Sequence, residues 1–364
     1  MTRSAQIAAF LARHGYGGAQ AAPLAQDASF RRYLRLTGGP RSAVLMDAPP
    51  PEDVRPFLRL AEHLAAIGLS VPEIIAADAE AGLVLEEDLG DALLSTMLDA
   101  MAAGVAGQPD KETPPRPRLD PSPNPRPQGE GAAAGTASLL LDSAVDVLVV
   151  MQCAAPPPGL PAWDAATMAQ AALGTLLDWW WPAAFGAPAP RAARTDFTAA
   201  LDDMLRPIAA GPVCFTHRDY FAGNLLWLPH RSDLRRIGVL DFQSAALGHP
   251  AYDLVSLLQD ARRDIPSALA DRALGRYLAA RPELDPTAFR AAYAACAAQR
   301  HLRVACQWVR LALRDGRAQY LAHGPRTWRK LAEALRQQAA APLAQAMDRW
   351  IPPGLRANPK GLTA

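Results

Sequence analysis

FTHRDYFAGNLLWL, residues 215–228, reads as an apolar strand, a polar break and a second apolar strand. The break carries His217, Arg218, Asp219 and Asn224. Turns often hold Asp or Asn, whose side chains bond their own backbone. Here the two stand five apart, inside what reads as a hairpin, and a third apolar run at 237–240 ends in Asp241-Phe242-Gln243.

The spacing is H-x-D-x4-N, followed by an apolar strand closing on Asp. Chemically this is a phosphoryl-transfer set. One carboxylate accepts the proton of an attacking hydroxyl and orients it, while an amide oxygen and a second carboxylate hold Mg2+ on nucleotide phosphates. Hard oxygen ligands suit Mg2+, which keeps waters and phosphate oxygens in its shell.

The chain upstream supplies a matching frame. Segments 22–25, 30–36 and 42–47 read as strands, with a tight turn at 26–29 and Thr37-Gly38-Gly39-Pro40 between the second and third. Residues 53–67 read as a helix with Phe57, Leu60, Ala61 and Leu64 on one face and Gly68 as its stop. Strands at 74–77 and 83–87 follow. Three strands, a helix and two strands is the order of the small lobe of the protein-kinase-like fold. The expected class is α+β in two lobes: a β-rich N-lobe over 1–88, a mainly helical C-lobe over 89–352 and a tail at 353–364. Residues 104–136 hold eight prolines between Pro109 and Pro127 and then Gly/Ala padding, which reads as a flexible insertion flanked by helices at 92–101 and 138–153.

Bulk properties narrow the class. The 364 residues are half hydrophobic and carry a net charge of +1, so nothing calls for nucleic acid or a membrane surface. The N-terminus lacks an apolar run long enough for a signal peptide, and Asp142 and Asp146 interrupt the apolar run at 139–150. Four cysteines without CxxC spacing read as buried free thiols. The expectation is a cytoplasmic monomer whose partners are a nucleotide and a small molecule.

The motifs "HRDYFAGN" and "VLDFQSAALGHPAYDLVSLLQD" resemble the aminoglycoside-phosphotransferase-like family, small-molecule kinases of the protein-kinase fold. "DASFRRYLRL", "MDAPP", "LEEDLGD", "LDFQ" and "QRHLRVACQWVRL" are similar to a bacterial subgroup of anomeric sugar kinases acting on N-acetylmuramate and N-acetylglucosamine. The resemblance implies ATP and Mg2+, Asp219 as catalytic base, and Asn224 and Asp241 as metal ligands. It implies Leu226 as the floor under adenine, Glu86–Leu89 (with Asp88) as the hinge, and His217 and Asp253 as supports of the catalytic loop. Arg218 either touches phosphate or pairs with a carboxylate. Another alcohol or amine acceptor remains an alternative, as does a non-catalytic nucleotide- or sugar-binding relative.

The second of these rests on an omission. Of the 37 basic residues only Lys111, Lys330 and Lys360 are lysine, so the small lobe has none, and Met46 stands about where a phosphate-holding lysine would fall. There is no glycine-rich loop either. In the active reading, Ser29, the backbone of its turn and one of Arg31 and Arg32 grip the phosphates. On a strand these two arginines point to opposite faces, so only one reaches the cleft. For the acceptor, Gln299, Arg303, Gln307, Arg310 and Arg314 fall on one helical stripe, with Leu302, Cys306, Val309 and Leu313 beside it. Such a stripe disfavours polycations and suits a carboxylated or neutral sugar. Gln243, next to the second carboxylate, is a further acceptor contact, and Trp179–Trp181 read chiefly as core.

Overall fold

At Gly38 the backbone takes a positive φ of 81°, a conformation glycine adopts without cost, and the chain doubles back there between two strands. The computed structural model describes residues 2–24, 31–102 and 130–362. In it β1 (Gln20–Pro23), β2 (Arg32–Thr37), β3 (Ala43–Asp47), β4 (Ile74–Asp78) and β5 (Leu83–Glu87) form an antiparallel sheet in the order β1-β2-β3-β5-β4. Alternation sorts its faces. Leu36, Leu45, Leu83 and Leu85 meet Phe10 of helix α1 (Arg3–Arg13) on the outer face. Met46 and Val84 join Phe57, Leu60 and Leu64 of α2 (Arg55–Ala66) on the inner one. The expected order of strands and helix is thus observed. The turn at 26–29, with Ser29, lies outside the described residues.

The second lobe contains α3 (Leu94–Ala102), α4 (Glu130–Cys153), α5 (Ala251–Leu258), α6 (Ser267–Ala280) and the long α7 (Pro286–Asp315), among further helices. Residues 130–136, assigned to the insertion by their Gly/Ala content, are instead the first turns of α4. Alanine is the strongest helix former, and this outweighs the scattered glycines. Residues 103–129 lie outside the described part. The stretch Gly135–Cys153 is long and apolar enough to cross a membrane, but half of it is buried in the fold. Its two acids pair with α6: Asp142 with Arg272, and Asp146 with Arg276 through bonds of 2.7 and 2.6 Å. It is a core helix with one charged edge.

The opening stretch is not a hairpin. β7 (Cys214–Thr216) pairs with β10 (Ala246–Gly248), which also pairs with β6 (Ala162–Trp163). β8 (Leu225–Trp227) pairs with β9 (Ile237–Val239). Residues 217–224 therefore link two different sheets. Arg218 at φ 73° turns the chain out of the first strand, and a 3-10 turn over Ala222–Asn224 feeds the second. Trp180 and Trp181 pack against Trp328, Phe185 and Phe197 in the core. Cys214, Cys296 and Cys306 are buried free thiols, whereas Cys153 is free but exposed, because α4 ends there.

Candidate active site

Two buried side chains hold the linking loop. Asp253, in the first turn of α5, accepts the backbone N–H groups of His217 (2.6 Å) and Arg218 (2.9 Å). His217 accepts the N–H of Asp219 at Nδ1 (3.3 Å) and, in the tautomer this requires, donates from Nε2 to the Leu240 carbonyl (3.0 Å). Burial lowers the His217 pKa to about 4, so the ring is neutral. Asp253 is thus bonded to the loop, not to its own helix N-terminus as an N-cap would be.

From this frame Asp219, Asn224 and Asp241 converge. The Asn224 amide donates to the Asp219 carbonyl (3.0 Å) and to Asp241 Oδ2 (3.3 Å), and Gln243 donates to Asp241 Oδ1. Asp241 sits in the left-handed region at φ 61°, as Arg218 does. A non-glycine residue there costs about 1 kcal/mol or more and persists where its surroundings impose it. The next residue, Phe242, stacks on Phe57 of α2, centroids 4.9 Å apart and nearly parallel. Among the described residues no three His, Cys, Asp or Glu side chains form a metal cage. One carboxylate and one amide do fit Mg2+, which takes its other ligands from phosphates and water.

The structure separates the two arginines. Arg32 bonds Asp47, which Arg3 of α1 also holds at 2.8 Å, so it lies on the outer face; the sequence-based placement of Arg32 at the nucleotide is corrected. Arg31 is on the inner face, 93% buried. Its Nε is 3.3 Å from Glu52, and it interacts with Tyr33, which is paired with Met46. Asp241 and Glu86 also act electrostatically on Tyr33. The buried cation of the small lobe is therefore Arg31. Its acid is Glu52, which spacing did not reveal, while Glu62 is exposed.

The hinge needs a second correction. Glu86 lies within β5, paired on one side with Val44 and on the other with Ile74, so its backbone belongs to the sheet. The open chain starts after Glu87. Asp88 accepts from Ser42 (2.6 Å), Gly90 N–H (3.0 Å) and Arg35 (3.0 Å). Leu89 and Leu226 meet over Gly238, where a Cβ would stand 3.2 Å from both. Glu86 itself is buried, and burial pushes its carboxyl from 4.5 up to about 8, with Arg31 pulling it down. The fold thus prefers the neutral acid. The stability this group contributes is full below about pH 4.5 and is lost as pH rises to about 8. Glu86→Gln removes that dependence. Thermal melts will show its Tm gaining on wild type by several degrees between pH 5 and pH 8.5.

On the other side of Asp219 stands α7. Arg300 and Arg303 both feel the charge of Asp219, and Arg303 donates to the Tyr252 hydroxyl (3.0 Å). Trp163 lies between Arg218, 4.1 Å above its ring, and Arg303 at 5.8 Å. Arg310 lies about 10 Å farther along the helix axis, where it bonds Gln307 (3.3 Å) beside Arg314 and Asp315 and still feels the charge of Arg303. Gln299 is fully buried and donates to the Met168 carbonyl, whereas Arg314 is exposed, so the stripe is not one continuous face. Arg300, Tyr252 and Trp163 escaped the sequence reading because they come from segments far apart in the chain.

The model of the phosphotransferase enzyme family matches residues 20–290. A Caulobacter vibrioides protein named N-acetylmuramate/N-acetylglucosamine kinase is 35% identical over 385 aligned positions, 96% of this chain and 97% of its own. A Pseudomonas aeruginosa protein of the same name is 34% identical, over 87% and 84%. Among solved structures, a choline/ethanolamine kinase family protein from Mesorhizobium loti superposes with a TM-score of 0.60 at 13% identity, covering 96% of this chain and all of that one. The GDP complex of aminoglycoside 2'-phosphotransferase-IIIa gives 0.58 at 14%, over 92% and 98%. At such identities the structures show the kinase-like fold alone. The small sheet, the loop 217–224 and Asp241 all fall within the matched stretch, and the chain belongs to the phosphotransferase enzyme family.

Proposed function

We propose that this chain is an ATP-dependent sugar kinase that phosphorylates the anomeric hydroxyl of N-acetylmuramate and N-acetylglucosamine, in turnover of cell-wall amino sugars. The observation that carries the reading is the Asn224 amide, which joins the main-chain carbonyl of Asp219 (3.0 Å) to the Asp241 carboxylate (3.3 Å), with the charge of Asp219 acting on Arg303.

Asp219 accepts the proton of the sugar hydroxyl and aims its oxygen along the line of attack on the γ-phosphorus. Asn224 and Asp241 would hold Mg2+, which supplies charge neutralisation on the phosphate oxygens. Arg31 faces the phosphates from the small lobe, where other kinases use lysine. Adenine lies over Leu226 and Leu89, against the open backbone of Asp88 and Leu89. Gln243 and Arg303 flank the acceptor. Arg218, Arg300 and Arg303 give this side a positive field that repels polycationic acceptors and tolerates a neutral or acidic sugar. His217 and Asp253 act by holding the loop.

The test is nucleotide turnover over a panel of sugars, aminoglycosides and small amino alcohols, with anomeric phosphate identified in the product. The highest kcat/KM on an N-acetylated amino sugar is expected. Preference for an aminoglycoside or an amino alcohol would replace this reading.

A further inference from the structure

A cavity of about 440 Å3 is lined by the immediate neighbours of the two carboxylates, though not by Asp219 or Asp241 themselves. It lies between the start of α2, the Pro157–Pro161 strap and the turn after Asp241. Its lining includes Arg218, which precedes Asp219, and Gln243, which is bonded to Asp241. We infer that this cavity receives a short carboxylic-acid arm of the acceptor, held by Arg218 from within and by Arg59 at the rim. The inference rests on the sugar-kinase reading and names the group that distinguishes its two substrates.

Three observations carry it. The first is charge. Arg59 and Arg218 line the cavity, and no Asp or Glu does so among the described residues. The second is unsatisfied bonding. Arg218 is fixed by a bond to the Ser244 carbonyl (3.2 Å) and by its stack on Trp163. Its Nε is nevertheless buried with no hydrogen-bond partner among the described residues, and so is Gln243 Oε1. Buried polar atoms are normally satisfied, and a donor and an acceptor left over in one cavity match an acid flanked by a hydroxyl or amide. The third is the wall. Leu60, Leu160 and Ala245 are apolar, and the proline strap, tied down by the Leu247 N–H to Pro161 carbonyl bond (2.8 Å), is stiff. Apolar walls with a cationic end suit a carboxylate on a short hydrocarbon stem.

N-acetylmuramate is N-acetylglucosamine with a lactyl ether, which is such an arm: a carboxylate and a methyl on one carbon. A neutral sugar leaves Arg59 in water at no cost and is accepted as well.

Arg59 is exposed, so its replacement leaves the fold intact. Steady-state kinetics of Arg59→Gln and Arg59→Glu with both sugars test the inference. Loss of a charge-assisted bond raises KM for N-acetylmuramate about tenfold in the first variant and further in the second, while KM for N-acetylglucosamine stays within about twofold. Equal shifts for the two sugars, or no shift for the carboxylated one, overturn it. If the wild-type chain turns over neither sugar, the proposed function fails. The cavity is then read by calorimetry with N-acetylmuramate: binding lost in Arg59→Glu supports the anion site, and binding equal in both proteins or absent from both overturns it.

Discussion

Asp219→Asn lowers kcat by about a thousandfold while the KM for ATP stays within about twofold. The expectation comes from how the loop is held. The backbone of Asp219 anchors it, through its N–H to His217 Nδ1 and its carbonyl to Asn224 and to the Phe221 N–H. An amide of the same shape leaves these bonds in place, so Tm should move by no more than about 2 °C. What is lost is the basicity that takes the hydroxyl proton. Asp241→Asn makes the contrast, since weakening a metal ligand raises the ATP KM as well as lowering kcat. Turnover preserved in Asp219→Asn would remove the base from this residue and leave the loop a structural feature.

Much of this was legible because local signals agreed with the global fold. The turn at Thr37–Pro40, the alternation on β3 and β5 and the buried face of α2 each appear where the pattern puts them. What failed did so for physical reasons. The two strands around residues 217–224 look like partners, but a strand's partner is set by the whole sheet. β7 takes β10 and β8 takes β9, partners that come from later segments of the chain. Glu86 looked like hinge because it precedes Asp88 and Leu89, yet where a strand stops depends on its neighbours, and β4 pairs as far as this residue. The start of α4 was hidden by glycines in an alanine-rich run. Glu52, Trp163 and Arg300 could not be found by spacing at all, since tertiary packing alone joins them to Arg31, Arg218 and Asp219.

The period of a strand told that Arg31 and Arg32 face opposite ways, but not which faces the cleft; that depended on which side α1 covers. In the structure α1 covers the side of Arg32, and the consequence is measurable. Arg31→Ala will lower kcat/KM for ATP by between about tenfold and a hundredfold, the loss of a buried charge-assisted contact to phosphate. Arg32→Ala will leave it within about twofold. Arg32 is more than half exposed, and Asp47 keeps Arg3 after the change, so the cost is no more than about 1 kcal/mol of stability, visible in Tm and not in kinetics. Melts of both variants guard against a trivial outcome, because Arg31 is itself buried against Glu52. Arg31→Lys keeps the charge but not the fork, and should recover part of the loss. If Arg31→Ala binds ATP like wild type, Arg31 is a packing cation for Glu52, and the phosphate grip must come from the backbone and hydroxyl of the preceding turn. If both variants lose equally, the division of the strand into an outer and a cleft face is wrong.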